Sequence, residues 1–359
     1  MTTQNVRLLA GPKAYSHIIR NGLQPNDIST LLGASGGPKW FILSHLDQYL
    51  SGEFFANRNT PLNLLGTSAG GWRFACYCQK EPVAATQRFI EHYASTVYSS
   101  HAKAPEITEK AFAMVDDLLG LSGIEEILQH PTFRLHVVVA RAKHFAAMQS
   151  NTAQWVGLAI GAAANTISRK LLPSTFERIL FHNASDSSPF LRLNDYPTRN
   201  YKLTEHNLRQ VLLATGAIPM VIDPQRDISG PGKGCYSDGG IVDYHFDIPN
   251  QSTGIVLYPH FYKDITPGWF DKGLWWRKAK PEHYNNVVIA APSPQLVNTL
   301  PYGKISDRND FKRLSVKQRL DYWKVVISEG ERMAEFFAER HHRQDWPEFV
   351  ELMPAPTRA

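Results

Sequence analysis

The chain has 359 residues, 43% apolar and 20% charged, with a net charge of +5. That balance excludes a disordered or fibrous chain and leaves ample length for one large core. The positive charge is mild, and no Lys/Arg block interleaved with aromatics accompanies it, so no nucleic-acid partner is expected.

The elements follow in chain order. The N-terminus lacks a basic region followed by an apolar run, so no signal peptide is expected. "STLLGA" (29–34) reads as a buried strand. Pro38 then sits where a helix first turn tolerates proline, with "KWFILSHLDQYL" continuing the helix. "LNLLG" (62–66) is the next strand, followed by a helix over 69–79. "FRLHVVVARA" (133–142) is too apolar and β-branched for a solvated face. "WVGLAIGAAA" (155–164) falls well short of the ~20 residues that a membrane-spanning helix needs. With the residues up to Arg169 and Lys170 it reads as a buried helix, or as a cover over an acyl pocket that touches a membrane surface. Thr204 is placed to cap "EHNLRQVLLAT", ending at Gly216. "TGIVLYP" (253–259) and "NVVIAAP" (286–292) are further strands. Ser315 and Gln318 form a capping box, and Val316, Leu320, Trp323, Ile327, Met333 and Phe337 continue one packed helix over 315–341. The alternation predicts α/β architecture, a mainly parallel central sheet flanked by helices, in a single domain over 1–359 with a helical C-terminal region about 310–345.

Three cysteines, Cys76, Cys78 and Cys235, argue against a disulfide framework and for a reducing compartment. Cys76-Tyr77-Cys78 lacks metal-ligand spacing and no second Cys pair exists, which reads as buried structural thiols; no metal and no cofactor are expected. The expected location is cytoplasmic, with peripheral contact to an anionic membrane surface.

Chemistry concentrates in three glycine-rich stretches. "LLGTSAGGW" (64–72) sets Ser68 between Gly66 and Gly70 where a strand passes into a helix. A nucleophile at such a sharp turn needs small neighbours, and the following helix directs its amides at developing negative charge. "GASGGPKW" (33–40) matches neither common phosphate-loop pattern, so a nucleotide reading is weak; the alternative use of amides exposed on adjacent glycines is an oxyanion hole. Neighbouring parallel strands would deliver both loops to one sheet edge. "CYSDGGIVDYHFDIP" (235–249) carries Asp238-Gly239-Gly240, which could be a tight turn.

These stretches, in this order, resemble the patatin-like phospholipase family over about residues 29–292. Gly36-Gly37-Pro38-Lys39 is similar to the family's oxyanion segment, Gly66-Thr67-Ser68-Ala69-Gly70 to its nucleophile elbow, and Asp238-Gly239-Gly240 to its D-G-G/A motif. "ATGAIP" (214–219) is similar to the stretch preceding that aspartate. The resemblance implies a three-layer α/β fold and a serine lipid acyl hydrolase, of phospholipase, lysophospholipase or carboxylesterase type. In it Asp238 takes the Ser68 proton with no histidine between, Gly36 and Gly37 hold the oxyanion, and Gly66, Gly70, Gly239 and Gly240 shape the turns. Lys39 reads equally as an electrostatic helper or as a solvated first-turn residue. Ser35 and Trp40 depart from the family's glycines, which puts the donor set in question and predicts a narrowed entrance at Trp40. The bulky "GGWRFACYC" predicts an altered acyl pocket. Two other readings stand beside this one: a Ser-Asp-His triad using His245 or His260, and a silent acyl- or lipid-binding protein.

Overall fold

The computed structural model describes residues 4–184, 187–249 and 252–354, and its ten strands form a single mixed sheet. They are β1 (Val6–Ala10), β2 (Ile28–Gly33), β3 (Leu62–Thr67), β4 (Phe133–Ala142), β5 (Phe176–His182), β6 (Thr198–Lys202), β7 (Cys235–Asp238), β8 (Ile255–Pro259), β9 (Val287–Pro292) and β10 (Val350–Leu352). The order is β10-β1-β9-β8-β2-β3-β4-β5-β6, with β7 on β4. The centre, β9-β8-β2-β3-β4, is parallel throughout, and its strands are almost wholly apolar because helices cover both faces. The fold is thus α/β with a mostly parallel sheet between helical layers, as the alternation predicts.

Antiparallel pairing enters at β1 on β9, and at β5 and β7 on β4. The flanking strands β1, β5, β6 and β10 are additions to the sequence reading. β6, "TRNYK", is mostly exposed and carries no apolar alternation; its place comes from the register of β5.

Several helices differ from expectation. The stretch after Pro38 starts as a 3₁₀ helix, Gly37–Leu43, becomes α-helical over Ser44–Tyr49 and ends in a π turn, Leu50–Phe54. Packing drives this. Trp40 and Phe41 are fully buried, Trp40 stacks on Phe89, and Phe41 lies against Trp323. The helix expected from Thr204 begins at Leu208, because the Asn207 side chain is committed to Thr204 N–H, Lys202 O and Ser229 O. The single helix expected over 315–341 is two, Val316–Glu329 and Glu331–Arg343. They divide at Gly330, where a Cβ would lie 2.7 Å from the Ile42 carbonyl oxygen.

The 155–164 run lies in a helix, Asn151–Ile167, that is buried on one face only. Gly157, Leu158, Gly161 and Asn165 face the protein, while Trp155, Val156, Ile160 and Ile167 are exposed. Among the described residues, no helix is long and apolar enough to cross a membrane.

Candidate active site

Register brings the distant motifs together. β2 and β3 are parallel neighbours with Gly33 opposite Gly66, so the loops bearing Gly36-Gly37 and Ser68 leave the sheet at one edge. Strand β4 does the rest. Its first half pairs with β3, ending at Thr67 opposite Val138, and its second half pairs along the same edge with β7, ending at Asp238 opposite Val139. Because β5 occupies the other edge of β4, β3 and β7 must point tip to tip. Ser68 follows one tip and Asp238 forms the other.

The Ser68 hydroxyl donates to Asp238 Oδ2 at 2.8 Å, and Asp238 Oδ1 accepts the Gly240 N–H at 2.7 Å. Both side chains are almost fully buried. Ser68 has φ +53°, in the left-handed region that residues with a Cβ avoid, and Ala69–Tyr77 starts immediately after it. Thr215 fixes that turn: its hydroxyl accepts the Ser68 N–H at 2.9 Å and donates to the Val138 carbonyl at 2.6 Å. The Asp238 N–H donates to Ala217 O at 2.9 Å. Segment 214–219 therefore braces both tips. Gly70 is required for close approach, since a Cβ there would stand 1.9 Å from Gly33 O. Gly66 packs on the same turn, and Gly239 on Val138 and Thr67.

Ser68 and Asp238 open onto a cavity of about 270 Å³ that Gly36, Gly37, Lys39, Ile218 and Pro219 also line. Gly37, at φ +54°, begins the 3₁₀ helix Gly37–Leu43, and the first amides of a helix have no partner within it. Gly36 and Gly37 thus stand beside the serine, as the motif order predicts. Trp40 does not narrow the entrance, because its ring turns into the core. Nor does Trp72 reshape the cavity: its indole N–H donates to Leu212 O, and its ring packs edge-on against Phe89. Neither residue lines the cavity.

The cavity also contains residues that the motifs do not signal. Tyr244, Tyr262 and Trp269 supply aromatic walls; Lys272, Asp307 and Arg308 supply charge. Lys39 is partly buried, with its Nζ 3.5 Å from the Tyr244 hydroxyl. No sequence pattern marks Lys272 or Arg308, which come from loops far downstream. Thr215 lies inside "ATGAIP" and could have been picked out there.

Burial raises the Asp238 carboxyl to about 6, against opposing pulls from the Gly240 and Ser68 hydrogen bonds and from Arg308 and Lys272. Crowding of the Lys272 ammonium away from water lowers it to about 7, with Arg308 and Lys39 adding repulsion, although the residue as a whole keeps solvent contact. Lys39 is lowered in the same way, first by desolvation.

His245 and His260 stand apart from this pair. His245 Nδ1 accepts the Thr266 N–H, and His260 Nδ1 meets the Tyr262 backbone. Their ring centroids lie 4.3 Å apart, edge to face, and burial lowers both toward the neutral form. Neither lines the Ser68 cavity. No protein-family model matches the chain, and a search of the curated proteins finds no match.

Proposed function

We propose that the protein is a serine acyl hydrolase acting on carboxylic esters of lipid-like substrates through a Ser68–Asp238 dyad. The observation that carries this reading is the 2.8 Å hydrogen bond from a serine on a positive-φ turn to a buried carboxylate. A core serine has no need of either feature. Ser68 Oγ attacks the ester carbonyl, its proton passes to Asp238, and negative charge collects on the carbonyl oxygen beside Gly36 and Gly37. The protonated Asp238 then gives its proton to the departing alcohol oxygen. Water attacks the acyl-enzyme, delivers a proton to Asp238 and releases the acid, restoring the Ser68 hydroxyl. The sequence and spacing of the glycine motifs favour the same reading, since they resemble the patatin-like acyl hydrolases.

The triad reading draws no support from the geometry, because the carboxylate that a histidine would have to share is bonded to the serine itself. A silent lipid binder needs no such pair. A fluorophosphonate probe separates these readings. Covalent labelling that maps to Ser68 is expected, together with loss of short-chain ester hydrolysis in Ser68→Ala. Folded His245→Gln and His260→Gln should retain activity. An unlabelled protein that still binds fatty acid would instead indicate the binder, and a folded histidine variant as inactive as Ser68→Ala would restore the triad.

A further inference from the structure

The Ser68 cavity gathers three cations from three separate parts of the chain: Lys39 after β2, Lys272 after β8 and Arg308 after β9. Two carboxylates share the space, and both are engaged. Asp238 holds the Ser68 hydroxyl and the Gly240 amide; Asp307 pairs with Lys304 at 3.2 Å and accepts the Asn309 N–H. Among the described residues, no carboxylate lies within 4.0 Å of the charged nitrogens of Lys39, Lys272 or Arg308.

Aromatic rings hold the two lysines instead. The Lys272 Nζ lies 3.9 Å from the centre of the Tyr244 ring, and the Lys39 Nζ 4.9 Å from that of Tyr262. A ring face positions an ammonium without a counter-charge, so each lysine has no carboxylate partner to give up when an anion arrives. The Arg308 stem lies against Gly37, its Cγ 3.3 Å from where a Cβ of that glycine would stand, and the residue lines the same cavity as the two glycines. Burial and repulsion from Arg308 lower both lysines, Lys272 to about 7, and a bound anion would hold their protons in place.

From this arrangement we infer that the site takes esters carrying an anionic group, a phosphate or a carboxylate, close to the scissile bond, with Lys39, Lys272 and Arg308 as its receptor. The serine's reaction orients such a substrate: the carbonyl faces Ser68 and the Gly36-Gly37 amides, and the anion lies across the aromatic wall toward Lys272. Arginine suits the fork of two phosphate or carboxylate oxygens, and each lysine adds a point charge. The neutral ester of the same chain forfeits these contacts and leaves the cations unmatched.

This inference rests on the acyl-hydrolase reading for its orientation but not for its anion site, so two measurements are needed. The first compares kcat/KM for 1-octanoylglycerol, its 3-phosphate and its 3-hemisuccinate below their aggregation concentrations. A charged ester should be preferred by about tenfold or more, mainly through a lower KM. The phosphate leading alone would identify a phosphate receptor, and the two charged esters leading equally would identify a general anion receptor. Lys272→Met and Arg308→Met should each shrink the charged-to-neutral ratio several-fold. Equal turnover of charged and neutral esters, or variants that lower both alike, would overturn the inference. The second titrates inorganic phosphate into folded Ser68→Ala by calorimetry. Saturable binding, weakened in Ser68→Ala/Arg308→Met, supports the receptor whatever becomes of the serine reading. An absence of binding together with an absence of charge preference rejects it.

Discussion

At the scale of single residues, the position of Asp238 determines when the pair can work. A carboxylate accepts the serine proton only when ionised, and burial holds this one to about 6. Ester hydrolysis should therefore fall about tenfold per pH unit below that value and level off above it. The same burial has a thermodynamic sign. The folded carboxyl binds its proton more tightly than the unfolded one, at 3.8, so its contribution is fully present below 3.8 and is lost as pH rises through about 6. At neutral pH an ionised Asp238 is a liability to stability. Asp238→Asn can keep Gly240 as a donor to its oxygen and turn its amide toward Ser68. The variant should be almost inactive, with a loss of ~10²–10⁴-fold, yet gain on the order of 1–3 kcal/mol at alkaline pH. Chemical unfolding at two pH values checks this: the gain should vanish in acid below the unfolded pKa. A variant as unstable in alkali as in acid would show that the aspartate shapes the turn more than it strains it.

At the scale of elements, the helix that carries Ser68 at its start is tied down by a buried ion pair. Arg73, within Ala69–Tyr77, donates to both oxygens of Asp47 at 2.7 Å, and the Tyr77 hydroxyl donates to the same carboxylate at 2.9 Å. All of this is inside the protein, so removing one partner leaves a charge without water or counter-ion. Asp47→Ala should cost about 3–5 kcal/mol in urea unfolding. Pairing Asp47→Leu with Arg73→Met should recover most of that, since matched apolar groups replace the pair. A double variant no better than the single one would indicate that geometry at the elbow, not charge, is what Asp47 supplies. Elements of this kind also divide what could be read from sequence from what could not. The central strands were legible because β2, β3, β4, β8 and β9 are largely buried and appear as short, mostly apolar runs with few polar interruptions. The strand β6 has no such signal, and β7 and β10, of 4 and 3 residues, are too short to show a period. The break at Gly330 was hidden because the apolar stripe continues across it; only the Ile42 carbonyl beside it explains the glycine. For the site, Ser68, Asp238 and the two glycine loops announce themselves by local pattern. Lys272 and Arg308 are ordinary cations in ordinary loops until the sheet brings them to one cavity.

At the scale of the whole molecule, the cavity wall continues into an apolar ridge. Trp269 and Lys272 line the cavity, and a few residues further along the same turn "LWWRKAK" (274–280) exposes Trp275 and Trp276, at 74% and 51%. Asp271 fastens that turn to the helix Asn151–Ile167: it accepts the Asn165 amide at 2.6 Å, and Arg277 donates to Asn165 O at 2.7 Å. That helix's outer face presents Trp155, Val156, Ile160 and Ile167, and Phe145 and Met148 are exposed on the segment before it. Two exposed indoles followed by Arg277, Lys278 and Lys280 combine the groups that settle at a lipid headgroup layer with charge that suits an anionic one. Ser68→Ala should therefore co-sediment with phosphatidylglycerol-rich vesicles and far less with pure phosphatidylcholine, and binding should weaken with salt. Because the serine is absent, hydrolysis cannot confuse the readout. Trp275→Ala/Trp276→Ala should lower vesicle affinity by about tenfold or more, on the order of 1–2 kcal/mol for two interfacial aromatics, while turnover of a monomeric ester stays unchanged. Vesicle binding that survives the double variant would move the contact elsewhere. If the wild type were instead a dimer that these two changes dissolve, the ridge would belong to a second copy of the chain and not to a lipid surface.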